Sequence, residues 1–182
     1  MLVLVVGPSG AGKDTLMAAA AARLRGDGRF CFVRREITRA PEAWGEEHVA
    51  VTPAEFAARR AAGAYALAWE AHGLGYGIPA AIEGDLAAGH VVVANVSRGV
   101  LREAAGRFPI CVLEITAPVE VLARRLAARG REAEGDILAR LARAIPLAKG
   151  LDVVRVVNDK AVEDGVAAVV AVLTGACGRG LC

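Results

Sequence analysis

The sequence predicts an α/β fold in which a parallel five-stranded sheet is covered by helices on both faces. Strand-like and helix-like stretches alternate along the chain, which is typical of a parallel sheet built from βαβ units. The length of 182 residues fits one domain with a sizeable core. The strand candidates are Leu2–Val6, Cys31–Ile37, His90–Val96, Ile110–Thr116 and Val153–Val157.

Several helix candidates begin at residues that suit a first turn. Pro53, Pro79 and Pro118 fit the first helical position, where the N–H that proline lacks would have no partner, and Thr52 is a good N-cap. The predicted helices are Lys13–Arg25, Pro53–Ala61, Pro79–Ala88, Gly99–Ala105, Pro118–Ala128, Gly135–Ala144 and Val162–Leu173.

Two segments depart from this alternation. Residues 38–89 are a polar insertion that we expect to close over an acceptor. The arginine-rich residues from about 125 to 140 suit a lid that faces phosphate. We therefore predict a single domain, 1–182, with its core in 1–37 and 90–174.

Composition excludes several classes of partner. The net charge of +2 is too small to indicate nucleic acid or an anionic membrane. The four cysteines lack metal-ligand spacing, the apolar start lacks a basic n-region, and the run 166–173 is too short to span a membrane. These features predict a cytoplasmic protein and leave a homodimer open.

A glycine-rich segment directly follows the first strand. It reads G-P-S-G-A-G-K-D and matches the phosphate-binding pattern G-x-x-x-x-G-K-[ST] except at its last position, Asp14. Backbone N–H groups of such a loop converge on phosphate oxygens, and Lys13 reaches the β- and γ-phosphates. The segment predicts ATP as co-substrate, bound by Gly7, Pro8, Ser9, Gly10, Ala11, Gly12, Lys13, Asp14 and Thr15.

The altered last position bears on the metal ion. The Ser or Thr hydroxyl of this pattern normally ligates Mg²⁺, and a carboxylate offers the same ion oxygen ligands. We therefore predict Asp14 as a metal ligand, directly or through water, with Thr15 as a weaker candidate.

Further motifs follow in order along the chain. They are Thr38-Arg39-Ala40-Pro41, Tyr76-Gly77, an R-L-x-x-R-G stretch from Arg125, and Val157-Asn158-Asp159. Together with the loop they resemble the guanylate kinase family from Val3 to about Val172. This resemblance implies a P-loop NTPase fold of the nucleoside-monophosphate-kinase type.

The chain departs from that family where guanine is read. The guanine-reading Glu and Ser or Thr correspond here to Leu67 and Ile78, and a second phosphate-binding arginine corresponds to Glu42. An acidic D-x-D motif is replaced by the stretch 94–97, whose sequence is A-N-V-S. Apolar side chains cannot hydrogen-bond a base, so we expect guanine recognition to be lost. Asp14 would compensate at Mg²⁺ for the missing carboxylates.

The loop ending in Asp14 and the Ile37-Thr38-Arg39 element resemble the ribose 1,5-bisphosphate phosphokinase family, which is associated with phosphonate use. The resemblance implies phosphoryl transfer from ATP to the C1 phosphate of ribose 1,5-bisphosphate. The products would be ADP and 5-phosphoribosyl 1-diphosphate, and the partner would be this small sugar phosphate.

The two resemblances also imply roles for individual residues. Arg34 and Arg35 point to opposite sides of a strand, so only one of them can face the site. The implied catalytic residues are Lys13, Arg125, Arg129 and Arg140, the acceptor-binding residues are Arg35, Arg39, His48 and Tyr76, and the residues beside the adenine are Asn158 and Asp159.

Two other functions stay open at this stage. A nucleoside-monophosphate kinase of altered base choice would need a polar group such as Glu70 where the gapless alignment has Leu67. A non-catalytic guanylate-kinase-like interaction module would usually lose the phosphate loop, which this chain keeps together with Lys13.

Overall fold

The structure, a computed structural model, describes residues 1–40, 47–128, 147 and 150–178. Within these ranges the strands are β1 (Leu2–Val6), β2 (Phe30–Phe32), β3 (Glu36–Ile37), β4 (Val49–Ala50), β5 (Tyr65–Ala71), β6 (Leu74–Pro79), β7 (Val91–Asn95), β8 (Ile110–Thr116) and β9 (Val153–Val157). The helices there are α1 (Lys13–Arg23), α2 (Pro53–Ala61), α3 (Ile82–Ala87), α4 (Leu101–Arg107), α5 (Val119–Ala127) and α6 (Val162–Gly178), with a 3₁₀ turn at Arg98–Val100.

The larger sheet is parallel, and its five strands have the order β2-β7-β1-β8-β9. Every residue of the central strand β1 is buried, as its unbroken apolar sequence requires. Leu16 of α1 and Val169 of α6 pack on one face of this sheet. Ile82 of α3 and Leu101 of α4 pack on the other face. The predicted α/β fold, with five parallel strands and helices on both faces, is confirmed.

One predicted strand, Cys31–Ile37, is divided between two sheets. Phe30–Phe32 pairs with β7 in the larger sheet, whereas Glu36–Ile37 pairs with β4 and β6 in a second sheet. The charged residues Arg34 and Arg35 lie where the chain crosses from one sheet to the other, and Arg34 is exposed there. Charged side chains are costly to bury unless they are paired, and the two arginines interrupt the apolar run where the division occurs.

Three strands of the second sheet, β4, β5 and β6, lie within residues 38–89, where the sequence predicted no strand. This sheet has the order β4-β3-β6-β5, and β5 and β6 form an antiparallel hairpin. The hairpin turns at His72 and Gly73, which both have positive φ (54° and 74°), the backbone twist that a tight two-residue turn needs. The sequence predicted only the helices Pro53–Ala61 and Pro79–Ala88 in this segment, so its strands were missed.

The start of α2 follows its sequence signals closely. Thr52 is the N-cap, and its side chain accepts a hydrogen bond from the backbone N–H of Glu55 (3.2 Å). The Glu55 carboxylate accepts in return from the Thr52 N–H (2.7 Å), which completes a capping box before Pro53 in the first turn.

Other helix boundaries differ from the predicted ones. Pro79 ends β6 opposite Tyr65, and the next helix begins only at Ile82. Pro118 is the N-cap of α5 instead of its first helical residue. The predicted helix Gly135–Ala144 lies outside the described residues. Among the described helices, none is long and apolar enough to cross a membrane.

Candidate active site

The glycine-rich loop connects the end of β1 to the start of α1 at the carboxyl edge of the parallel sheet. Gly12 is the N-cap of α1 and has a left-handed backbone (φ 84°), which glycine adopts without strain. Gly7 also has positive φ (153°), and a Cβ there would overlap the carbonyl oxygen of Ile115. These constraints explain the glycines, and they leave loop N–H groups and a helix N-terminus together for anion binding.

Lys13 folds back over this loop. Its Nζ donates to the carbonyl oxygens of Gly7 (2.8 Å) and Pro8 (3.0 Å). The ammonium group is therefore held above the loop, where incoming phosphate oxygens can replace these neutral acceptors. A small cleft of about 130 Å³ opens here, lined by Ser9, Gly10, Gly12, Lys13, Asp14 and Thr15.

Asp14 lies in the first turn of α1 and contacts the end of β7. The Nδ2 atom of Asn95 donates to Asp14 Oδ1 at 3.0 Å. Asn95 is only 6% exposed, whereas Asp14 lines the cleft. The Asn95 amide thus orients Asp14, the predicted metal ligand. In the sequence, Asn95 was noted only as part of the stretch 94–97 that replaces an acidic motif.

Asn158 braces the loop from the end of β9. Its Nδ2 donates to the carbonyl oxygen of Ala11 at 2.8 Å, and the side chain is 5% exposed. A Cβ at Gly12 would come within 2.6 Å of this amide nitrogen, so the two fit closely. Asp159, the next residue, is exposed. The adenine contact predicted for Asn158 and Asp159 stays a prediction.

One lid arginine reaches the loop within the described residues. Arg125 Nη1 lies 3.5 Å from the carbonyl oxygen of Gly10, whereas its neighbour Arg124 is exposed to solvent. The buried Leu126 on the same helix packs against Gly10 and fixes this approach. Arg129 and Arg140, the other predicted catalytic arginines, lie outside the described residues.

The acceptor-binding candidates gather at one end of the second sheet. The Arg35 guanidinium lies over the rings of Tyr76 (5.3 Å to the centroid) and Trp69 (5.9 Å), which stack on each other with 5.3 Å between centroids. This stack holds Arg35 by cation–π contact. Arg35, not the exposed Arg34, is therefore the member of the pair that shares a surface with Tyr76.

Arg39 and His48 are joined through the backbone. His48 Nε2 donates to the Arg39 carbonyl oxygen at 3.0 Å, so this ring nitrogen carries the proton. The Thr38 hydroxyl accepts from the Gly75 N–H at 2.8 Å and ties the same segment to the start of β6. These bonds hold the chain around Arg39 against His48 and against the start of β6.

The positions compared with guanine-reading residues are apolar core. Leu67 and Ile78 are cross-strand neighbours of β5 and β6 and are 1% and 0% exposed. Glu70 lies on the opposite face of β5 from Leu67 and is exposed, with Arg60 Nη1 3.2 Å from its carboxylate. In the observed hairpin, Glu70 is therefore not on the core face of β5 that Leu67 occupies.

A charged cluster near the same edge of the sheet was missed. Glu114 of β8 is 6% exposed, and its carboxylate accepts from Arg98 Nη2 (2.9 Å) and Arg155 Nε (2.7 Å). Its strand partner is Val6, the last residue before the loop. A lone acidic residue within the apolar strand Ile110–Thr116 was the available signal. The cluster joins β8 to β9 and to the 3₁₀ turn that follows β7, and its two arginines and one carboxylate give it a net positive charge.

Two further observations delimit the site. Among the described residues, no three His, Cys, Asp or Glu side chains come together as a metal cluster. A larger cavity of about 520 Å³ lies by Met1 and Pro109, at the amino ends of β1 and β8 and so at the opposite edge from the loop.

Comparison with known proteins identifies the family, although no family model matches the chain. The chain is 57% identical to "Ribose 1,5-bisphosphate phosphokinase PhnN" of Methylobacterium radiotolerans over 145 residues. The matched residues cover 78% of this chain and 81% of that protein. The chain is also 49% identical to the protein of the same name from Agrobacterium fabrum, over 97% of this chain and 98% of that one.

A third relative has a second activity in its name. "Bifunctional ribose 1,5-bisphosphokinase-thymidine phosphorylase" of Azorhizobium caulinodans is 45% identical over 98% of this chain, which spans 26% of that protein. Among solved structures, guanylate kinase from Anaplasma phagocytophilum has a TM-score of 0.69 at 18% identity, over 96% of this chain and 84% of that one. The fold is therefore that of guanylate kinase, and the chain belongs to the ribose 1,5-bisphosphate phosphokinase family.

Proposed function

We propose that this protein transfers the γ-phosphoryl group of ATP to the C1 phosphate of ribose 1,5-bisphosphate. An oxygen of that phosphate forms a bond to the γ-phosphorus, the bond to the β-phosphate oxygen breaks, and ADP leaves. The product is 5-phosphoribosyl 1-diphosphate. The observation that carries the proposal is the near full-length similarity to proteins named for this activity, combined with an intact phosphate loop.

The donor side of the reaction uses the loop. Backbone N–H groups from Ser9 to Lys13 would bind the donor phosphates, and Lys13 would exchange the Gly7 and Pro8 carbonyls for β- and γ-phosphate oxygens. Arg125 approaches the loop at Gly10 and would neutralise charge on the transferring group. An acceptor phosphate is already anionic, so the chain needs no general base.

The acceptor side uses the second sheet. The surface that joins Arg35 and Tyr76 offers a guanidinium and a phenolic hydroxyl, which suit a phosphate. Arg39 would contribute further positive charge, and His48, whose Nε2 donates to the Arg39 carbonyl oxygen at 3.0 Å, would complete this part of the acceptor surface. Because Leu67 and Ile78 are buried and apolar, nothing at these positions would read a base. A sugar phosphate without a base fits this surface better than a nucleotide does.

The residues present also fit a magnesium ion. Mg²⁺ prefers oxygen ligands and commonly keeps several waters, with one or two carboxylates and the substrate phosphates completing its shell. Asp14 supplies a carboxylate at the mouth of the loop cleft, and the Thr15 hydroxyl lies beside it. Bound there, Mg²⁺ would neutralise donor phosphate charge. We assign the reaction to the cytoplasm because it consumes ATP, and a homodimer remains a prediction that light scattering tests.

The decisive experiment is ADP release from Mg·ATP with a panel of acceptors: ribose 1,5-bisphosphate, GMP, AMP, ribose 5-phosphate and water. We expect the bisphosphate to be preferred by at least about 10³-fold in kcat/KM over GMP, since a site lacking base-reading groups gains nothing from guanine. Phosphorus NMR of the product must show a diphosphate on C1. Preference for GMP or AMP would contradict the proposal and make the protein a nucleotide kinase.

A further inference from the structure

We propose that Asn95 and Asp14 act as one metal-holding pair, in which the Asn95 amide positions the Asp14 carboxylate for Mg²⁺. In phosphate-loop enzymes the residue after the loop lysine is usually a neutral Ser or Thr, and the carboxylate comes from the sheet. Here the carboxylate follows the lysine, as Asp14, and the sheet residue is the neutral Asn95. The inference rests on the proposed function only in requiring Mg·ATP as donor. It makes Asn95 a positioning residue for the reaction.

The fold brings the two residues together from different elements. Asn95 is the last residue of β7, and its strand partner is Val5 of β1, which runs directly into the phosphate loop. Asp14 stands at the other end of that loop, in the first turn of α1. The hydrogen bond from Asn95 Nδ2 to Asp14 Oδ1 (3.0 Å) therefore joins the end of β7 to the first turn of α1, directly after the loop.

The chemistry of the contact fixes which atoms meet. A carboxylate oxygen only accepts, so the Asn95 amide must turn its NH₂ group toward Asp14. Asn95 is 6% exposed, and burial restricts the amide to this orientation. One Asp14 oxygen is thereby engaged by the amide. Asp14 lines the loop cleft, and its second carboxylate oxygen is the one that we expect a metal ion to contact.

The asparagine needs an explanation that packing does not give. The rest of β7 is Val91-Val92-Val93-Ala94, and a further apolar residue would suit the interior. A buried amide is unfavourable unless it is hydrogen-bonded. Asp14 alone could be explained by its favourable place at a helix N-terminus, but that explanation does not account for Asn95. A role shared by the two residues accounts for both.

The usual arrangement in phosphate-loop enzymes points to the shared role. There, Mg²⁺ is held by the Ser or Thr that follows the loop lysine and by an Asp from elsewhere in the sheet. In this chain the residue after Lys13 is Asp14, and the sheet residue that touches it is the neutral Asn95. In either case the contacting pair supplies one carboxylate. Since that charge is at position 14 here, its orientation depends on Asn95.

The test measures nucleotide binding and needs no acceptor. The dissociation constant of a fluorescent ATP analogue is determined in EDTA and in excess Mg²⁺, and the ratio of the two gives the Mg²⁺ coupling. The variants are Asn95→Ala, Asp14→Ser and the double variant Asp14→Ser/Asn95→Asp, which recreates the usual arrangement. Asn158→Ala is the matched control, because that amide contacts the same loop at Ala11 but no carboxylate.

We expect Asn95→Ala and Asp14→Ser each to lower the coupling at least about tenfold, as losses of residues around a metal do. Affinity in EDTA should stay near that of the wild type for Asn95→Ala, and it should rise for Asp14→Ser, because a carboxylate that repels the donor phosphates is removed. The double variant should return to within about threefold of the wild-type coupling. Asn158→Ala should weaken binding equally with and without Mg²⁺. Should Asn95→Ala lose affinity in EDTA as well, Asn95→Val, which suits a buried strand, takes its place.

Two results would overturn the pair: unchanged coupling in the Asn95 variant, or a double variant no better than Asp14→Ser alone. A wild-type protein whose nucleotide affinity ignores Mg²⁺ would also overturn it. None of these results depends on the acceptor, so the acceptor panel decides the proposed function separately.

Discussion

Leu67 of β5 lies directly opposite Ile78 of β6, and the two side chains are 1% and 0% exposed. They close the core between the second sheet and the parallel sheet, together with Leu4 and Val92. Leu67 and Ile78 stand at the two positions where the resemblance to guanylate kinases led us to expect base-reading polar groups. In this chain both side chains belong to the hydrophobic core, so we predict that they act in packing and not in binding a base.

Leu67→Ala tests this packing role. Removing a fully buried leucine side chain should lower the free energy of unfolding by about 2–5 kcal/mol, because transfer and cavity terms add. Urea unfolding followed by circular dichroism measures the change. The preference for ribose 1,5-bisphosphate over GMP should be unaffected well below the melting temperature. Val162→Ala is the control: Val162 is 45% exposed, and a change within about 0.5 kcal/mol is expected there.

Sequence alone predicted the parallel sheet well because its signals are local. The strands Leu2–Val6, Ile110–Thr116 and Val153–Val157 have their predicted bounds. Each is a short run dominated by apolar residues in a chain of alternating elements. The phosphate loop and the N-cap at Thr52 depend on the chemistry of neighbouring residues and were equally visible.

What sequence could not give depends on contacts between distant residues. The second sheet pairs Glu36 with Gly77, 41 positions along the chain. The Asn95–Asp14 bond spans 81 positions. The buried Glu114 would have stood out as a charge within an apolar strand, yet no pattern names its two arginine partners. Such contacts follow from topology, which local propensity does not determine.

Lys13→Ala should abolish most of the transfer activity. Lys13 Nζ already lies over the loop, 2.8 Å from the Gly7 oxygen, and Arg125, which approaches the loop at Gly10, does not replace its contacts there. We expect kcat to fall at least about 10²–10³-fold, the usual effect of removing one preorganised group that stabilises transition-state charge. Lys160→Ala is the control, because Lys160 is exposed, and its kcat should stay within about twofold of the wild-type value. A Lys13 variant with near-normal kcat would contradict the assignment.

Arg125 and Arg124 form a matched pair for the lid. Arg125 Nη1 approaches the Gly10 oxygen at 3.5 Å, whereas Arg124 is exposed. Arg125→Ala should lower kcat about 10³-fold, by analogy with arginines that contact a transferring phosphoryl group, and Arg124→Ala should change it less than about threefold. Steady-state kinetics with ribose 1,5-bisphosphate measure both. Equal effects of the two substitutions would mean that Arg125 acts only as surface charge.

Tyr76→Phe isolates the phenolic hydroxyl. The substitution keeps the ring that stacks on Trp69 and lies under Arg35, so the local packing should survive. A hydrogen bond to a charged phosphate contributes about 1.5–3 kcal/mol, so KM for the acceptor should rise about tenfold or more. KM for ATP should not change, because the loop is untouched. A parallel rise in both constants would show general damage to the fold and would remove Tyr76 from the acceptor site.

Cys31 gives a prediction about alkaline pH. Burial raises the pKa of its thiol to about 11, and the Asp85 carboxylate, which accepts from Sγ at 3.5 Å, contributes in the same direction. The folded state therefore favours the neutral thiol. The unfolded chain releases the proton near its ordinary pKa of 9.0. The stabilising contribution is complete below about pH 9 and is lost as the pH rises toward 11.

Alkylation by iodoacetamide measures this thiol directly, because only the thiolate reacts. Mass spectrometry of the peptide that contains Cys31 should give a labelling rate that is still rising above pH 10 in the native protein. In denaturant the rate should level off above the ordinary value of 9.0. Asp85→Asn should shift the native profile to lower pH, because it removes the carboxylate that opposes the thiolate. A native profile that matches the denatured one would mean that neither burial nor Asp85 acts on Cys31.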